Sequence, residues 1–174
     1  MSTIVLDMGH TGHTGGRPGA THGALSEASI VRRYVCRAAD VLEAAGHTVE
    51  IIGAGAYSSR QSYSSGASAY VACHVNAGWK PGYRGAVFTL PTGGGLAAEL
   101  ATEIEALTGS SRVWDVMRAG WTRHAWALIA SALCPAVVYE PVFIDCPAHL
   151  DLCQAPDQIG EALAAGLIAY LRQS

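Results

Sequence analysis

The stretch Ile4-Val5-Leu6-Asp7-Met8-Gly9-His10 opens the chain with an apolar run that ends in a histidine. Residues 3–7 predict a β-strand buried on both faces, since a short apolar run before turn residues is typical of such strands. Gly9 predicts a sharp turn after the strand, which would present the imidazole of His10 at the edge of the sheet. In open α/β sheets, the edge at the carboxyl ends of the strands is where ligands bind.

Two further apolar runs also end in a titratable residue. His74 follows residues 69–73, and Glu140 follows residues 136–139. A fourth titratable residue, Glu27, begins a long amphipathic segment. Polar groups at the ends of three strands can converge on one edge of a sheet. A zinc site with two histidines and one carboxylate needs three such groups, and a second carboxylate can serve as the general base.

Helices are predicted between the strands. Ser26 is a suitable N-cap for a helix that runs to about Ala45 and stops at Gly46. A second amphipathic helix, marked by apolar residues from position 96 to position 107, is expected to end at Gly109. Asp157 is expected to cap a final helix, and a weak helix or loop is expected over residues 56–66. Residues 110–125 are predicted to be irregular.

Strands alternating with long helices define the predicted fold class. After the first strand, five more are expected, at residues 47–52, 69–74, 85–90, 125–130 and 136–140. The pattern predicts a single α/β domain of three layers, α/β/α, with a mostly parallel twisted sheet flanked by helices. The domain is expected to span residues 1–174.

Composition excludes several classes of protein. The chain has 174 residues, half of them apolar, which suits one domain with a complete core. The net charge is −3 and the eleven basic residues are scattered, so no nucleic-acid partner is expected. No apolar run approaches the roughly 20 residues of a membrane span, so no membrane insertion is expected. Without a charged leader and an apolar segment at the start, synthesis in the cytoplasm without a signal peptide is predicted.

The five cysteines do not form a metal motif, because no Cys-x-x-Cys pair occurs. Cys36 falls in the first helix and Cys73 in a buried strand, so both are predicted to be small core residues. Cys146 and Cys153 flank a loop, and a disulfide between them stays open.

The four candidate residues also have ordinary structural explanations. His10 could cap a backbone carbonyl, and Glu27 could interact with the dipole at a helix N-terminus. His74 ends an apolar strand, where a buried imidazole needs a partner. Glu140 is the most informative, because a carboxylate between apolar segments is costly to bury unless a cation or hydrogen bonds hold its charge. A raised pKa would suit a general acid or base.

Four segments carry a resemblance to a known family. Residues 4–10, followed by residues 23–27, resemble the "hydrophobic-Asp-Pro-Gly-His … Gly-x-x-Glu" opening of zinc-dependent N-acetylmuramoyl-L-alanine amidases. Residues 70–77 are similar to that family's "Ser-x-His-x-Asn-Ala" strand, and residues 135–145 to its "Pro-x-hydrophobic-hydrophobic-x-Glu … Phe-x-x-Asn" strand. The order and spacing agree over nearly the whole sequence. The departures from the family pattern are Met8 for proline, Cys73 for serine and Asp145 for asparagine.

The resemblance implies a metal site and a reaction. It makes His10, Glu27 and His74 the ligands of one zinc ion per chain, and Glu140 the catalytic acid and base. The implied reaction is hydrolysis of the amide bond between N-acetylmuramic acid and L-alanine in peptidoglycan. Zinc would supply an activated water, and Glu140 would accept its proton and pass it to the leaving amine.

Further residues are candidates for contact with substrate. His13 and His22 lie in the glycine- and threonine-rich loop after the first strand, and His13 could also support the ligands. Asn76 follows the second histidine, and Arg60 falls where the family often has an arginine. The tryptophans could stack on sugar rings or could belong to the core, and three of them are close in sequence: Trp114, Trp121 and Trp126.

The resemblance also implies a biological setting, and two alternative functions remain. The chain resembles the catalytic domain of a phage endolysin, with no separate wall-binding domain, held in the cytoplasm as a monomer and delivered to the cell wall and periplasm by a separate holin. A non-catalytic module that binds muropeptides remains an alternative. So does a zinc carboxypeptidase or other amidohydrolase acting on stem peptides, which would need an arginine for a terminal carboxylate. The available candidates are Arg17, Arg84, Arg118 and Arg123.

Overall fold

The structure is a computed structural model that describes residues 1–11, 18–53, 62–117 and 123–173. Its main sheet has six strands, and a small two-stranded sheet precedes the first helix. The main strands are β1 (Thr3–Met8), β4 (Thr48–Ile52), β5 (Ala69–Cys73), β6 (Gly85–Thr89), β7 (Ser111–Asp115) and β8 (Ala136–Glu140), and the small sheet pairs β2 (Thr21–His22) with β3 (Leu25–Ser26). The helices are α1 (Glu27–Ala44), α2 (Gly94–Thr108), α3 (Arg123–Ile129), α4 (Leu150–Gln154) and α5 (Asp157–Leu171). Short 3-10 turns at Pro91–Gly93 and Pro147–His149 lead into α2 and α4.

The sheet is mostly parallel, which confirms the predicted α/β class. Its strand order is β4-β1-β5-β8-β6-β7. Four of the neighbouring pairs are parallel, and only β6 and β8 run antiparallel. This order makes β1, β5 and β8 adjacent, so the strand ends near His10, His74 and Glu140 lie side by side.

Helix α1 begins and ends where its sequence predicts. The hydroxyl of Ser26 accepts a hydrogen bond from the backbone N–H of Ser29 at 3.4 Å, which caps the first turn. Beyond the other end, Gly46 has φ +87°, a conformation that glycine adopts without strain. One face of the helix is buried, so tertiary packing holds it on the sheet.

Two regions differ from the sequence-based expectation. Residues 125–130, predicted as a strand, belong largely to α3, because a short apolar run does not by itself distinguish a buried strand from a buried helix. Residues 111–115, expected to be irregular, form the edge strand β7, which is half exposed and pairs only with β6. At α5, Asp157 is the first helical residue rather than the cap, which is Pro156.

The sheet separates two apolar clusters, so helices cover both of its faces. The larger cluster joins one face to α1, α2 and α5, and the smaller one joins the other face to residues of α3. Cys73 is buried in the larger cluster as predicted, but Cys36 is exposed on α1, so its prediction as a core residue is wrong. Cys146 and Cys153 are both buried free thiols. Within the described ranges, no helix has the length and apolar character that a membrane crossing requires.

Candidate metal centre

The strand ends that carry the candidate residues meet at one edge of the sheet. Met8 is paired with Cys73, and Cys73 with Tyr139, so these three strands stop level with one another. The backbone N–H of His74 donates to the carbonyl of Tyr139 at 2.9 Å, which continues the ladder one step past the end of β5. His10, His74 and Glu140 come just after these paired residues, so all three lie at this shared edge and their side chains surround one space.

Glu27 stands between the two histidines. Its Oε1 lies 2.9 Å from Nδ1 of His74, and its Oε2 lies 3.4 Å from Nε2 of His10. The rings of the two histidines are 5.3 Å apart between centroids and nearly perpendicular. Backbone N–H groups hold the carboxylate from the other side: Val75 donates to Oε1 at 3.1 Å and Ala20 to Oε2 at 3.0 Å. Both oxygens are thus oriented by the backbone and directed towards an imidazole.

Two glycines allow these groups to approach one another. A Cβ atom on Gly9 would lie 2.5 Å from the His74 ring and 2.7 Å from the carbonyl oxygen of Cys73. A Cβ atom on Gly19, which has φ +72°, would overlap the Glu27 carboxylate. Gly9 lies in the turn after β1, where it was expected, and the residue with the left-handed backbone in that turn is His10, with φ 59°. Gly9 provides space for an imidazole, and His10 carries the conformational strain, as residues at functional sites often do.

The pKa of Glu27 is lowered although the side chain is buried. Burial alone would raise it, but the hydrogen bond and charge of His74, the N–H of Ala20 and the charge of His10 together outweigh burial. The carboxylate is therefore held in its ionised form, which is the form that binds a metal.

The three side chains fit a divalent metal. One donor atom from each of His10, Glu27 and His74 lies within 4.8 Å of the other two, and no other described residues form such a group. In a tetrahedral zinc site with bonds of about 2.0–2.2 Å, the donor atoms lie about 3.4 Å from one another. Two imidazoles and one carboxylate are a donor set found in catalytic zinc sites that keep a fourth position open.

Glu140 lies beside this cluster as a second, partly buried carboxylate. Its Oε2 accepts a hydrogen bond from Nδ2 of Asn76 at 2.7 Å. Burial raises the pKa of Glu140 to about 7, the nearby charge of Glu27 adds to the increase, and His74 and the Asn76 amide oppose it. It lines a cavity of about 380 Å³ together with the three cluster residues and Asn76. A carboxyl group that titrates near neutral pH is suited to transfer protons.

Supporting residues to which the sequence analysis gave no role hold the edge in place. The hydroxyl of Tyr34, on α1, donates to the carbonyl of His74 at 3.1 Å. The carboxylate of Asp145 accepts from the backbone N–H groups of Gly78 and Trp79 at 2.9 and 3.0 Å, which fixes the loop after Asn76. No sequence signal marks Tyr34, whereas Asp145 differs from the family pattern, in which an asparagine stands at this position.

The remaining predicted contact residues have different positions. Asn76 lies next to Glu140, whereas His22 is exposed on β2 and is not among the described residues that line the Glu27 cavity. His13 and Arg60 lie outside the described residues. Trp121 does too, whereas Trp114 is half-buried on β7 and Trp126 is exposed on α3; neither lines the cavity around Glu27.

In this α/β domain, two imidazoles at strand ends and a carboxylate at a helix N-terminus lie beside a second, partly buried carboxylate, which is the arrangement of a metal-dependent hydrolase. A family model described as N-acetylmuramoyl-L-alanine amidase matches residues 4–169, and the chain therefore belongs to that family. It is accordingly an enzyme, and its reaction is hydrolysis of an amide bond in peptidoglycan. Among curated proteins, no sequence matches the chain.

Solved structures share the fold at low sequence identity. Cwp6 from Clostridium difficile has a TM-score of 0.83 and 17% identity, and the match covers 97% of this chain and 29% of that one. The amidase AmiC2 of Nostoc punctiforme has a TM-score of 0.74 and 21% identity, with 98% and 97% covered. The catalytic domain of the amidase CwlV from Bacillus (Paenibacillus) polymyxa var. colistinus has a TM-score of 0.79 and 14% identity, with 99% of each chain covered. The chain thus spans a minor part of Cwp6 and nearly all of the other two.

Proposed function

We propose that the chain hydrolyses the amide between N-acetylmuramic acid and L-alanine with one zinc ion bound by His10, Glu27 and His74. The observation that carries the proposal is the convergence of their donor atoms within 4.8 Å, in the cavity that also contains Glu140. When bound, zinc supplies Lewis acidity, which lowers the pKa of a water molecule towards about 7 and polarises the scissile carbonyl.

Glu140 is the proton carrier in this proposal. Its carboxylate accepts a proton from the attacking water and later delivers that proton to the nitrogen of the leaving L-alanine. The 2.7 Å hydrogen bond from Asn76 fixes Oε2, so the other carboxylate oxygen is the one available to water. A group of this kind contributes about 10²–10⁴-fold to the rate.

The exposure of the three cluster side chains supports substrate entry from the side of His10. The side chain of His10 is 37% exposed, that of His74 13% and that of Glu27 5%, so the cluster is open on one side only. Around Glu140, apolar residues of α3 line the cavity. A stem peptide entering past His10 would present its first amide to the carboxylates of Glu27 and Glu140.

Metal content measured together with product analysis tests the proposal. Purified protein should contain one zinc per chain, and it should release stem peptides with a free L-alanine amino terminus from sacculi, as identified by mass spectrometry. Chelator should abolish the release, and zinc should restore it. Glu140→Ala should fold and bind zinc but release nothing, whereas Glu50→Ala, an exposed glutamate on β4, should behave as the wild type.

Other products would favour the alternatives. Trimmed stem peptides that stay attached to the glycan would indicate a carboxypeptidase. Retention on sacculi without any released peptide would indicate a binding module. Full activity of a folded Glu140→Ala variant would remove the proposed role of that residue.

We further propose the biological setting of a phage endolysin, active as a monomer and delivered from the cytoplasm by a separate holin. Expression in the cytoplasm of a host with susceptible peptidoglycan should be harmless alone and should cause lysis when a holin is co-expressed. Lysis at the same rate without the holin would contradict the proposed route. Light scattering of the purified protein would test the monomer.

A further inference from the structure

A second cavity adjoins the candidate metal centre. It has a volume of about 530 Å³ and shares Asn76 and Ala77 with the cavity around Glu140. Its remaining walls come from β6, β7 and the segments that follow Asn76 and β8. A molecule bound at Glu140 can therefore extend into this second cavity without leaving the protein surface.

The second cavity is basic. Arg84 and Arg112 line it, and no carboxylate is among its described lining residues. Arg33 and Arg37 on α1 form ion pairs with carboxylates of α5, but no described carboxylate lies within ion-pair distance of either cavity arginine. Their guanidinium groups are available to an anionic ligand, and guanidinium matches the geometry of a carboxylate.

One of these arginines is in register with Glu140. Ala86 of β6 is paired with Glu140 on one side and with Arg112 on the other, so the three side chains share one face of the sheet. Two strand spacings separate Glu140 from Arg112, which is about 10 Å. Two residues of extended peptide span at most about 7 Å, and the arginine side chain covers the remainder.

Trp114, one of the aromatic residues that line the cavity, is in contact with a cation. The guanidinium of Arg112 lies 3.9 Å from the centre of the Trp114 ring and stacks on its face. That face of Trp114 is therefore covered by the guanidinium. The arrangement orients a charged group, which is what recognition of an anion requires.

From these observations we propose that the second cavity binds the free α-carboxylate of the second stem-peptide residue, D-glutamate, and that Arg112 and Arg84 make the enzyme prefer this acid over its amide. The inference rests on the proposed function, because it takes the scissile amide to lie at Glu140. It names Arg112 and Arg84 as specificity-determining residues, with no part in the proton transfer.

Two synthetic substrates that differ in one group test this inference. They are N-acetylmuramoyl-L-alanyl-D-glutamate and N-acetylmuramoyl-L-alanyl-D-isoglutamine, which carry a carboxylate and an amide at the same position. The zinc-loaded wild type should show a kcat/KM about tenfold higher for the acid, as expected for one charge-assisted contact. Arg112→Gln should remove most of this preference by lowering kcat/KM for the acid alone, and Arg84→Gln should reduce it. Arg32→Gln, an exposed arginine on α1, is the matched control and should keep the full preference.

Several outcomes would overturn the inference. The wild type could cleave both substrates equally, both arginine variants could keep the preference, or the variants could lose activity on both substrates in the same proportion.

Binding separates failure of this inference from failure of the proposed function. If the wild type cleaves neither compound at the muramoyl–alanine bond, the proposed function fails. Calorimetry with Glu140→Gln then measures binding of the same two compounds. Tighter binding of the acid that Arg112→Gln abolishes would still support the carboxylate site, and equal binding would remove it.

Discussion

At the scale of single residues, Glu27 has two roles, one at the N-terminus of a helix and one at the candidate metal centre. As the first residue of α1 it has the usual place of an acidic residue in a helix, at the N-terminus. Its carboxylate nevertheless reaches both imidazoles, while two backbone N–H groups hold its oxygens. A group held in this way loses little conformational freedom when a metal binds, because the protein has already ordered it.

Replacing Glu27 by glutamine tests its role as a ligand. Glu27→Gln keeps the size of the side chain but removes the charge, and it directs an amide N–H₂ group towards a histidine or a backbone N–H. Zinc affinity should fall at least about 100-fold, the upper value for groups that only support a ligand. Glu43→Gln, an exposed glutamate near the other end of α1, should bind zinc as the wild type does. Metal content after dialysis against a competing chelator measures the difference, and equal retention by both variants would exclude Glu27 as a ligand.

Asn76 adjusts the proton affinity of its neighbour. Its amide donates to Glu140 and opposes the increase in pKa that burial causes. Asn76→Ala should therefore raise the pKa of Glu140 further, and Asn76→Asp should raise it more, because a like charge favours the neutral carboxyl group. Since the base must be ionised, the acidic limb of the kcat/KM profile should move to higher pH in the order wild type, alanine, aspartate. A limb that stays in place in both variants would show that another group controls it.

At the scale of elements, the segments with their own start and stop signals were predictable. Helix α1 has Ser26 before it and Gly46 after it, and its bounds agree with the prediction. Helix α3 and strand β7 lack such signals. The apolar residues of α3 suit a helix or a strand equally, and β7 pairs at the sheet edge through a register that depends on distant β6.

Part of the candidate site was also predictable from local sequence patterns. His10, His74 and Glu140 each follow an apolar strand, so their positions at one edge follow from the strand pattern. Glu27 needed the family resemblance, because an acidic residue at a helix start has an ordinary explanation. The contacts of Gly19 depend on how the loop before α1 folds back on the helix, and no local pattern contains that information.

The contact between α1 and α5 links packing to the site. Gly160 of α5 lies against the backbone of Tyr34, and a Cβ atom there would overlap the carbonyl oxygen of that residue. Gly160→Ala should move the helices apart and lower the free energy of unfolding by about 1–3 kcal/mol. Because the hydroxyl of Tyr34 bonds to the carbonyl of His74, kcat should fall as well.

A second glycine provides the control for this prediction. Gly95 is in α2, and the atom nearest to a Cβ added there would be a ring carbon of Tyr170 at 3.7 Å, an ordinary contact. Gly95→Ala should leave kcat unchanged and raise stability by up to about 1 kcal/mol. Urea unfolding and turnover of sacculi measure both effects. If the two variants had the same free energy of unfolding, close packing at Gly160 would make no contribution to stability.

At the scale of the whole molecule, the apolar core supports a site that costs stability. Two apolar clusters, one on each face of the sheet, provide the hydrophobic stabilisation. At one edge, the fold holds Glu27 buried and ionised and Glu140 partly buried, although burying a carboxylate is unfavourable. The metal-free protein should therefore have a stability that depends on pH. The lowered pKa of Glu27 makes stability fall as the pH drops below 4.5, whereas between pH 4.5 and 7 the direction follows from Glu140.

The pKa of Glu140 rises from 4.5 to about 7 on folding, so the folded state holds its proton more tightly than the unfolded state. The contribution of this group is fully present below pH 4.5 and is lost as the pH rises towards 7, by up to about 3 kcal/mol at about 1.4 kcal/mol per pKa unit. Glu140→Gln cannot ionise, so with chelator present it should be more stable than the wild type by up to about 3 kcal/mol at pH 7.5, and by less than about 1 kcal/mol at pH 5. Urea unfolding at the two pH values gives the comparison.

An exposed glutamate serves as the control for the pH dependence of Glu140. Glu50→Gln, on β4, should stay within about 0.5 kcal/mol of the wild type at both pH values. Added zinc should reduce the advantage of Glu140→Gln at pH 7.5, because a nearby cation stabilises the ionised carboxylate that only the wild type has. An advantage that is the same at pH 5 and pH 7.5 would show that Glu140 is ionised in the folded protein throughout, and so is not tuned for proton transfer near neutral pH.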